Sequence, residues 1–216
     1  MNNKLEAALK RLNIILPIKE CQDKCDPEIK ELHQQMLHSF IHRGRILNKA
    51  EMANWVDNVP QAIKILREND MVTFSENAEP TGAYPFTMSE REHAVFVNGF
   101  KVHAMCALDA LAIAPMFEET TEINSHCRVT GEPVHIQMSG EVIQNPQEVN
   151  NLHFGIIWGA ADSGSSCADS LCMDMIFLKD TEVAQKWLSN DVQGREIFTL
   201  AEAVQFASRF FVPFLK

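Results

Sequence analysis

Apolar residues recur at helical spacing along the first part of the chain, with polar residues between them. The clearest series starts after Asp26, ends before Gly44 and comprises Ile29, Leu32, Met36, Leu37, Phe40 and Ile41. Asn48 is a suitable N-cap for a shorter helix, and a further helix follows it. Between residues 70 and 85, short apolar pieces flank a turn-rich sequence, which is typical of a hairpin. Helices followed by a hairpin outline a winged-helix module, predicted here for residues 1–85.

From Glu92 onward, short alternating segments replace the helical pattern. Asn98-Gly99 lies between two strand-like runs and predicts a hairpin, and Thr130-Gly131 predicts a second pair of strands. The apolar segment CALDALAIAPMF, which starts at Cys106, predicts a short helix that stops near Pro115.

Strands and helices also follow one another in the last part of the chain. The runs NLHFGIIWG and LCMDMIFL predict strands, and residues 182–188 and 200–211 predict helices. Short strands with segregated helices are typical of the α+β class. We therefore predict an α+β fold. In it, an N-terminal helical winged-helix-like domain, residues 1–85, packs on an α+β core, residues 86–216, of short, mostly antiparallel strands with flanking helices.

The chain is acidic, with 216 residues and a formal net charge of −10. An acidic surface repels a phosphate backbone, which argues against nucleic acid as a partner. The winged-helix outline favours DNA binding, but segment 44–90 holds four basic residues against seven acidic ones. We therefore interpret the N-terminal module as a helical domain that covers the rest of the protein.

The N-terminus has no secretory signal pattern, and no stretch approaches the roughly 18 apolar residues that a membrane span requires. We expect a cytoplasmic protein with no membrane partner. In a reducing compartment, cysteines are buried thiols, metal ligands or nucleophiles more often than disulfides. The six cysteines are Cys21, Cys25, Cys106, Cys127, Cys167 and Cys172, and none forms a Cys-x-x-Cys pair.

Cys106 and Asp109 are the first candidates for chemistry. Unpaired N–H groups and the helix dipole favour a thiolate at a helix N-terminus, which predicts a lowered pKa for the Cys106 thiol. Asp109 lies three residues on, on the same helix face, and its apolar neighbours predict a raised carboxyl pKa. A thiolate beside such a carboxyl makes a nucleophile with an acid. The spacing alone favours a simpler alternative, a buried Cys106 beside a solvated Asp109.

Cys172 and Cys167 are harder to assign from the pattern. In a strand, Cys172 shares a face with Asp174 and Ile176, and an isolated Cys in such a run usually belongs to the core. Cys167 lies in a polar Gly-Ser stretch, where it can be exposed.

Three segments, in order along the chain, carry a family resemblance. HAMCALDAL (103–111), SHCRVTGEPVHIQMS (125–139) and SLCMDMIFL (170–178) resemble the organomercurial (alkylmercury) lyases. That family has a Cys-Ala-Leu-Asp-x-Leu helix, then a Cys with a Thr-Gly turn, then a Ser-aromatic-Cys strand. The upstream GAYPFTMSEREHAVFVNGFKVHA is similar to the strand pair that leads into the family's catalytic helix. The resemblance covers about residues 82–180.

The resemblance implies protonolysis of a carbon–mercury bond, which yields a hydrocarbon and Hg(II). It implies that Cys106 and Cys172 are the essential thiols that bind mercury, a soft metal that prefers thiolate ligands. It implies that Asp109 is the essential carboxylate, which contacts the metal and moves the proton. Cys127 matches a buried structural cysteine. The implied partners are organomercurial small molecules, cellular thiols and a mercuric reductase that receives Hg(II), and no organic cofactor is implied.

Two stretches depart from the family pattern. The family usually has Tyr-Ala-Trp before the first Cys, where this chain has His103-Ala104-Met105. After the second Cys it usually has His-Phe-Phe, where residues 173–177 read MDMIF. These changes lie beside the site, so they bear on substrate range and rate more than on the type of reaction. Cys21, Cys25 and Cys167 have no family counterpart.

Three other interpretations remain open at the level of sequence. A non-catalytic soft-metal binding or carrier protein keeps the thiols and has no use for Asp109. A metal-responsive DNA-binding regulator combines thiols with a winged helix, although the acidic balance opposes it. A structural zinc site formed by Cys21, Cys25 and His33 is weakly indicated by the Cys-x-x-x-Cys spacing.

Overall fold

The computed structural model describes residues 3–162, 164–189 and 194–216. The α-helices of these residues are α1 (Asn3–Ile15), α2 (Ile18–Lys24), α3 (Pro27–Arg43), α4 (Lys49–Met52), α5 (Val59–Glu68), α6 (Ala107–Phe117), α7 (Pro146–Val149), α8 (Thr181–Ser189) and α9 (Leu200–Phe211). Short 3₁₀ helices cover Trp158–Ala160, Cys167–Asp169, Leu171–Asp174 and Val212–Leu215. The strands are β1 (Val72–Phe74), β2 (Pro80–Ala83), β3 (Phe86–Thr87), β4 (His93–Val97), β5 (Phe100–Ala104), β6 (Thr120–His126), β7 (Pro133–Ser139), β8 (Val142–Ile143), β9 (His153–Ile157), β10 (Met175–Leu178) and β11 (Arg195–Thr199).

The strands form two antiparallel sheets. The larger sheet has the order β1-β2-β3-β5-β4-β6-β7-β8, and the smaller one has the order β10-β9-β11. The predicted α+β class with mostly antiparallel strands is therefore confirmed. β2 precedes the predicted domain boundary and pairs with β3, which follows it, so one sheet crosses that boundary. The division into domains 1–85 and 86–216 stays a prediction.

Two predicted turns lie where the sequence placed them. Asn98 and Gly99 join β4 to β5, and both have positive φ, 50° and 80°, as a type I′ hairpin turn requires. The Thr130-Gly131 turn lies between β6 and β7, with Gly131 at φ 73°. These turns depend on local backbone preferences, which explains why sequence alone locates them.

The helix predicted to stop near Pro115 ends two residues beyond it, since α6 contains Pro115 and ends at Phe117. This helix is buried from Ala107 to Met116, and its packing outweighs the proline penalty of about 3 kcal/mol. The predicted strand around Cys172 also starts later: Leu171–Asp174 form a 3₁₀ helix, and β10 begins at Met175.

Helix α6 is the centre of the fold. It packs against α9, β10 and the strands of the larger sheet. Its apolar residues belong to one hydrophobic cluster that also includes buried residues of α1, α3 and α5. The N-terminal helices thus share a core with the elements that carry Cys106 and Cys172, which excludes water from the space between them. None of the helices in the described part of the chain is long and apolar enough to cross a membrane.

His33, on α3, is buried and takes part in a buried hydrogen-bond network. The Gln22 amide nitrogen lies 3.0 Å from His33 Nδ1 and donates to the Phe214 carbonyl oxygen at 2.8 Å. An imidazole that accepts at Nδ1 is neutral, with its proton on Nε2. Burial lowers the pKa of His33 from 6.5 to about 4. Gln22 joins α2 to the C-terminal 3₁₀ helix through Phe214, and its bond to α3 forms only while His33 is neutral.

We expect the free energy of unfolding to fall as the pH drops from about 6.5 to about 4, because unfolded His33 takes up a proton that the folded protein excludes. The shift corresponds to a loss of up to about 3 kcal/mol. In His33→Gln this contribution is absent, so the variant should lose less stability than wild type between pH 7 and pH 4.5. Urea unfolding of both proteins at both pH values measures the difference. Equal losses would contradict the assignment to His33.

Candidate active site

Cys106 is the N-cap residue of α6, and only Met105 separates it from the end of β5. Its backbone is extended, with φ −151° and ψ −178°, and its sulfur accepts a hydrogen bond from the Asp109 backbone N–H at 3.5 Å. The strand-to-helix transition therefore fixes both the thiol and the first turn that follows it. The sequence prediction of a cysteine at this helix N-terminus is confirmed.

Asp109 lies on the same face of α6, within reach of both thiols. The Cys106 thiol donates to Asp109 Oδ2 at 2.6 Å, and the Cys172 sulfur lies 3.9 Å from the same oxygen. Ligand atoms of Cys106, Asp109 and Cys172 all lie within 4.8 Å of one another, and all three residues are buried. The structure thus brings together the three residues singled out from the sequence.

Burial sets the protonation of the Asp109 carboxyl. Desolvation raises its pKa from 3.8 to about 7, and the Cys106 hydrogen bond and the Arg91 charge oppose this rise. Its other oxygen, Oδ1, has no hydrogen-bond partner among the described residues. A carboxyl with a pKa near 7 takes up and releases a proton easily at neutral pH. The alternative of a solvated Asp109 is therefore wrong.

The expected lowering of the Cys106 pKa is also wrong. Desolvation, with a smaller contribution from the Asp109 charge, raises the pKa of this thiol from 9.0 to about 12. The helix N-terminus favours a thiolate only through a partial charge, whereas full burial penalises the whole charge. Cys106 is therefore a protonated thiol that donates to Asp109.

Cys172 reaches the site from the 3₁₀ helix Leu171–Asp174. Hydrogen bonds with the Cys106 and Cys167 thiols, together with burial, raise the pKa of the Cys172 thiol. Placing Cys172 in a helical turn rather than a strand directs it toward α6. Such a turn interrupts the alternation of side chains that a strand imposes.

Two further sulfurs lie against the two predicted thiols. Met175 Sδ is 3.4 Å from the Cys106 sulfur, and Cys167 Sγ is 3.6 Å from the Cys172 sulfur. Both residues are buried. The sequence had allowed Cys167 to be exposed and had not singled out Met175. Only the short distance along the chain between Cys167 and Cys172 could have indicated that Cys167 lies at the site. The polar residues around Cys167 favoured an exposed position instead.

Arg91 holds together the two segments that carry the cysteines. Its Nη1 donates to the Met105 carbonyl oxygen at 3.2 Å and to the Ala168 carbonyl oxygen at 2.6 Å. Its Nη2 donates to the Asp169 carboxylate at 3.1 Å. Met105 precedes Cys106 in the chain, so one guanidinium fixes the start of α6 against the loop before Cys172. Nothing in the sequence pattern singled out this residue.

A cavity of about 230 Å³ opens onto Cys172. Its lining consists of Glu90, Arg91, Glu92, His93, Met105, Arg128, Cys172 and Met173. A larger cavity of about 390 Å³ lies along β4 and β6 and contains none of the three clustered residues. We assign the active site to the smaller cavity because it leads to the thiols. Met105 and Met173, which depart from the family pattern, line this entrance.

The remaining cysteines lie outside this cluster. Cys127 is buried and forms an isolated parallel bridge with Phe177, next to β10. Within the described ranges, Cys106, Asp109 and Cys172 are the only set of three metal-binding side chains with this proximity, so Cys21, Cys25 and His33 do not form the zinc site considered above. His33 binds Gln22 instead.

The cluster combines two kinds of chemistry in a water-poor space. Neutral thiols become ligands for a soft metal when a base removes their protons. Asp109 is the nearest base for the Cys106 proton, and once protonated it becomes an acid in contact with whatever the thiols hold. Metal capture and proton delivery are therefore coupled through a single carboxyl group.

Comparison with known proteins identifies the same family along most of the chain. The family model for alkylmercury lyase (MerB) matches residues 86–212. Alkylmercury lyase from Bacillus cereus is 26% identical over 137 residues, which cover 63% of this chain and 61% of that protein. Alkylmercury lyase from Streptomyces lividans is 22% identical over 153 residues, which cover 70% of this chain and 69% of that protein.

The fold is shared as well. The mercury-bound form of MerB2 superposes with a TM-score of 0.74 at 21% identity, covering 94% of this chain and 98% of that one. The sequence match spans about three fifths of the length of the Bacillus cereus relative. The family model covers more than half of the residues and includes Cys106, Asp109 and Cys172. The chain belongs to the alkylmercury lyase family.

Proposed function

We propose that this protein is an organomercurial lyase, which cleaves a carbon–mercury bond by protonolysis and releases a hydrocarbon and Hg(II). The observation that carries the proposal is the buried contact between the Cys106 thiol and Asp109 Oδ2, with Cys172 beside both. Two thiols are enough to capture mercury. Metal capture needs no proton donor, but protonolysis does. The Asp109 carboxyl, with a pKa near 7, supplies that donor at the metal.

Cys172 makes the first bond in this proposal, because it is the thiol that borders the entrance cavity. An organomercurial R–Hg–X exchanges its ligand X for the Cys172 sulfur, and the thiol proton leaves with X. Mercury then lies beside the Cys106 thiol. Met105 and Met173 line the path with soft thioether sulfurs.

Cys106 makes the second bond and starts the proton transfer. As its sulfur adds to mercury, its proton passes to Asp109 Oδ2 along the existing 2.6 Å contact. Donation from two thiolates makes the mercury-bound carbon more basic. Asp109 then delivers the proton to that carbon, the Hg–C bond breaks, and the hydrocarbon R–H leaves. Hg(II) stays on Cys106 and Cys172, and Asp109 is again a carboxylate.

A soft-metal carrier is the second candidate function. Cys106 and Cys172 serve a carrier equally well, but a buried Asp109 without a salt bridge is costly and has no purpose there. The contact between Asp109 and Cys106 therefore favours the lyase. The proposed reaction uses no organic cofactor, because the thiols and the carboxyl supply every group that takes part.

The proposed partners are organomercurial small molecules and the thiols that remove the product. Hg(II) exchanges readily between thiolates, so cellular thiols or a mercuric reductase are suitable acceptors. We also propose a cytoplasmic location. All six cysteines are free thiols in the structure, as a reducing compartment maintains them.

The function is tested by incubating the purified protein with methylmercury and an excess of a small thiol, and measuring methane by gas chromatography. We expect methane over many turnovers. Tight mercury binding without methane would identify a carrier and direct attention to residues 103–105 and 173–177. Phenylmercury, followed by benzene release, tests whether the cavity accepts a larger organic group.

Arg91 offers a test of how the two cysteine segments are positioned. We expect Arg91→Met to lower kcat/KM for methane release by about 10- to 100-fold, because a displacement of about 1 Å at a reacting centre costs that much. Loss of the Arg91 charge also removes an effect that lowers the Asp109 pKa, so the pH profile should move to higher pH. Arg128→Met is the matched control, since Arg128 pairs with Glu92 at the same entrance without contacting either segment. An unchanged kcat/KM in Arg91→Met would refute the positioning role, and an unchanged pH profile would refute the effect of the Arg91 charge on Asp109.

A further inference from the structure

Cys167 is a third buried thiol at the active site, and the mechanism above does not use it. Its sulfur lies 3.6 Å from that of Cys172, and both side chains are almost completely buried. A metal–thiolate bond is about 2.3 Å long, so a single metal ion can bond to two sulfurs that lie within about 4.6 Å of each other. The Cys167 and Cys172 sulfurs meet this condition.

The segment that carries Cys167 is held by buried polar groups. The Cys167 backbone N–H donates to Asp70 Oδ2 at 2.7 Å, and the Ala168 backbone N–H donates to Tyr84 Oη at 2.8 Å. Tyr84 in turn donates to the Asp70 carboxylate at 3.1 Å. A buried polar group that loses its hydrogen bond costs free energy, so these hydrogen bonds hold the segment in place. Cys167 therefore faces Cys172 because the fold constrains it to do so.

Cys172 lies between the other two cysteines. Cys106 and Asp109 are on one side of it, in α6. Cys167 contacts it from the preceding 3₁₀ helix, Cys167–Asp169, and is not part of the cluster whose ligand atoms are all within 4.8 Å. Two thiol pairs, Cys106–Cys172 and Cys167–Cys172, thus share one sulfur. Only the first pair is in contact with the proton donor.

We propose that Cys167 and Cys172 form a second mercury site, which receives Hg(II) after cleavage of the carbon–mercury bond. This inference rests on the proposed lyase function for the origin of the metal. The Cys167 sulfur bonds to mercury and the bond from mercury to Cys106 breaks, while mercury stays on Cys172. The proton of the Cys167 thiol ends on the released Cys106 sulfur, so one thiol replaces another at mercury. No electrons are transferred, and mercury remains Hg(II).

The transfer restores the catalytic pair before the metal has left the protein. Cys106 is again a thiol that donates to Asp109, as it was before the reaction. The product is then separated from the proton donor and bound by two thiolates until an external thiol removes it. An intramolecular thiol is an efficient acceptor because its effective concentration is far above that of a free thiol.

Inorganic Hg(II) tests the second site directly, without reliance on catalysis. The variants are made in a Cys21→Ser/Cys25→Ser background, because those two partly exposed thiols on α2 also bind mercury. Adding Cys106→Ser removes the catalytic pair and leaves Cys167–Cys172 intact. We expect this protein to retain one Hg(II) per chain after dialysis against a small monothiol, measured by mass spectrometry of the metal.

Further replacement of Cys167 by Ser should weaken Hg(II) binding by at least about 100-fold, since changes around a metal ligand already cost 10- to 100-fold. Ser166→Ala is the matched control, because it removes the hydroxyl that accepts from the Asp169 N–H in the same 3₁₀ helix and keeps the thiol. It should retain the metal. Thermal unfolding without mercury verifies that each variant is folded.

Two outcomes overturn the proposal: loss of Hg(II) on replacement of Cys106 alone, or unchanged binding on further replacement of Cys167. Should a serine variant fail this folding control, the corresponding alanine variant replaces it in the same background, and the same two outcomes decide. Absence of methane from methylmercury would refute the lyase function, and the binding result would still stand on its own.

Discussion

Replacing Asp109 by Asn is expected to abolish methane release and to leave mercury binding in place. Asn has the same shape but neither accepts the Cys106 proton nor donates one to carbon. General acid–base catalysis contributes about 10²- to 10⁴-fold, so we expect a fall in kcat of at least that order. The measurement is methane by gas chromatography, with bound mercury determined on the same samples.

The Asp109→Asn substitution should not damage the fold. Because burial raises the Asp109 pKa from 3.8 to about 7, the folded protein binds a proton more strongly than the unfolded chain between these values. The carboxyl therefore contributes stability at low pH that is lost as the pH rises toward 7. Asp109→Asn should be at least as stable as wild type at pH 8. Retention of methane release by this variant would exclude Asp109 as the proton donor.

Replacing Cys172 by Ser is expected to remove both cleavage and mercury retention. Cys172 borders the entrance cavity and contributes a sulfur to each thiol pair, so its loss leaves no pair of neighbouring thiols at the site. We expect Hg(II) affinity to fall by at least about 100-fold. Competition with a small thiol, in the background that lacks Cys21 and Cys25, measures the affinity.

Cys106→Ser is the informative comparison. It should stop methane release as completely as Cys172→Ser, but it keeps the Cys167–Cys172 pair and therefore Hg(II). The effects of substitutions in residues that act as one unit are not additive. The double variant Asp109→Asn/Cys172→Ser should therefore release methane no more slowly than the slower single variant. Equal mercury affinity in Cys106→Ser and Cys172→Ser would argue against a shared sulfur.

The local part of the site could be predicted from the sequence. A helix that begins at the residue after Cys106 necessarily places Asp109 on the same face, because three residues span nearly one helical turn. The turns at Asn98-Gly99 and Thr130-Gly131 follow from backbone preferences in the same way. Only the family motifs identified Cys172 as a site residue, because it lies too far from Cys106 along the chain for a helical or strand period to relate the two.

Tertiary structure decided the pKa values of the site residues. The helix N-terminus predicted a lowered pKa for Cys106, but packing of α6 on all sides removes water and raises the pKa instead. Desolvation depends on every neighbour in space, so no local pattern reports it. The same packing determines that Asp109 is buried and has a pKa near 7.

The sequence by itself determined the α+β class, the helix that carries Cys106 and Asp109, and the family resemblance. Only the tertiary structure decided that Cys167 is buried against Cys172, that Met175 contacts Cys106 and that Arg91 joins their segments. Helical and strand periods are set by local backbone geometry, which each stretch of sequence encodes for itself. Contacts between distant segments depend on how whole elements pack, and that information is distributed over the entire chain.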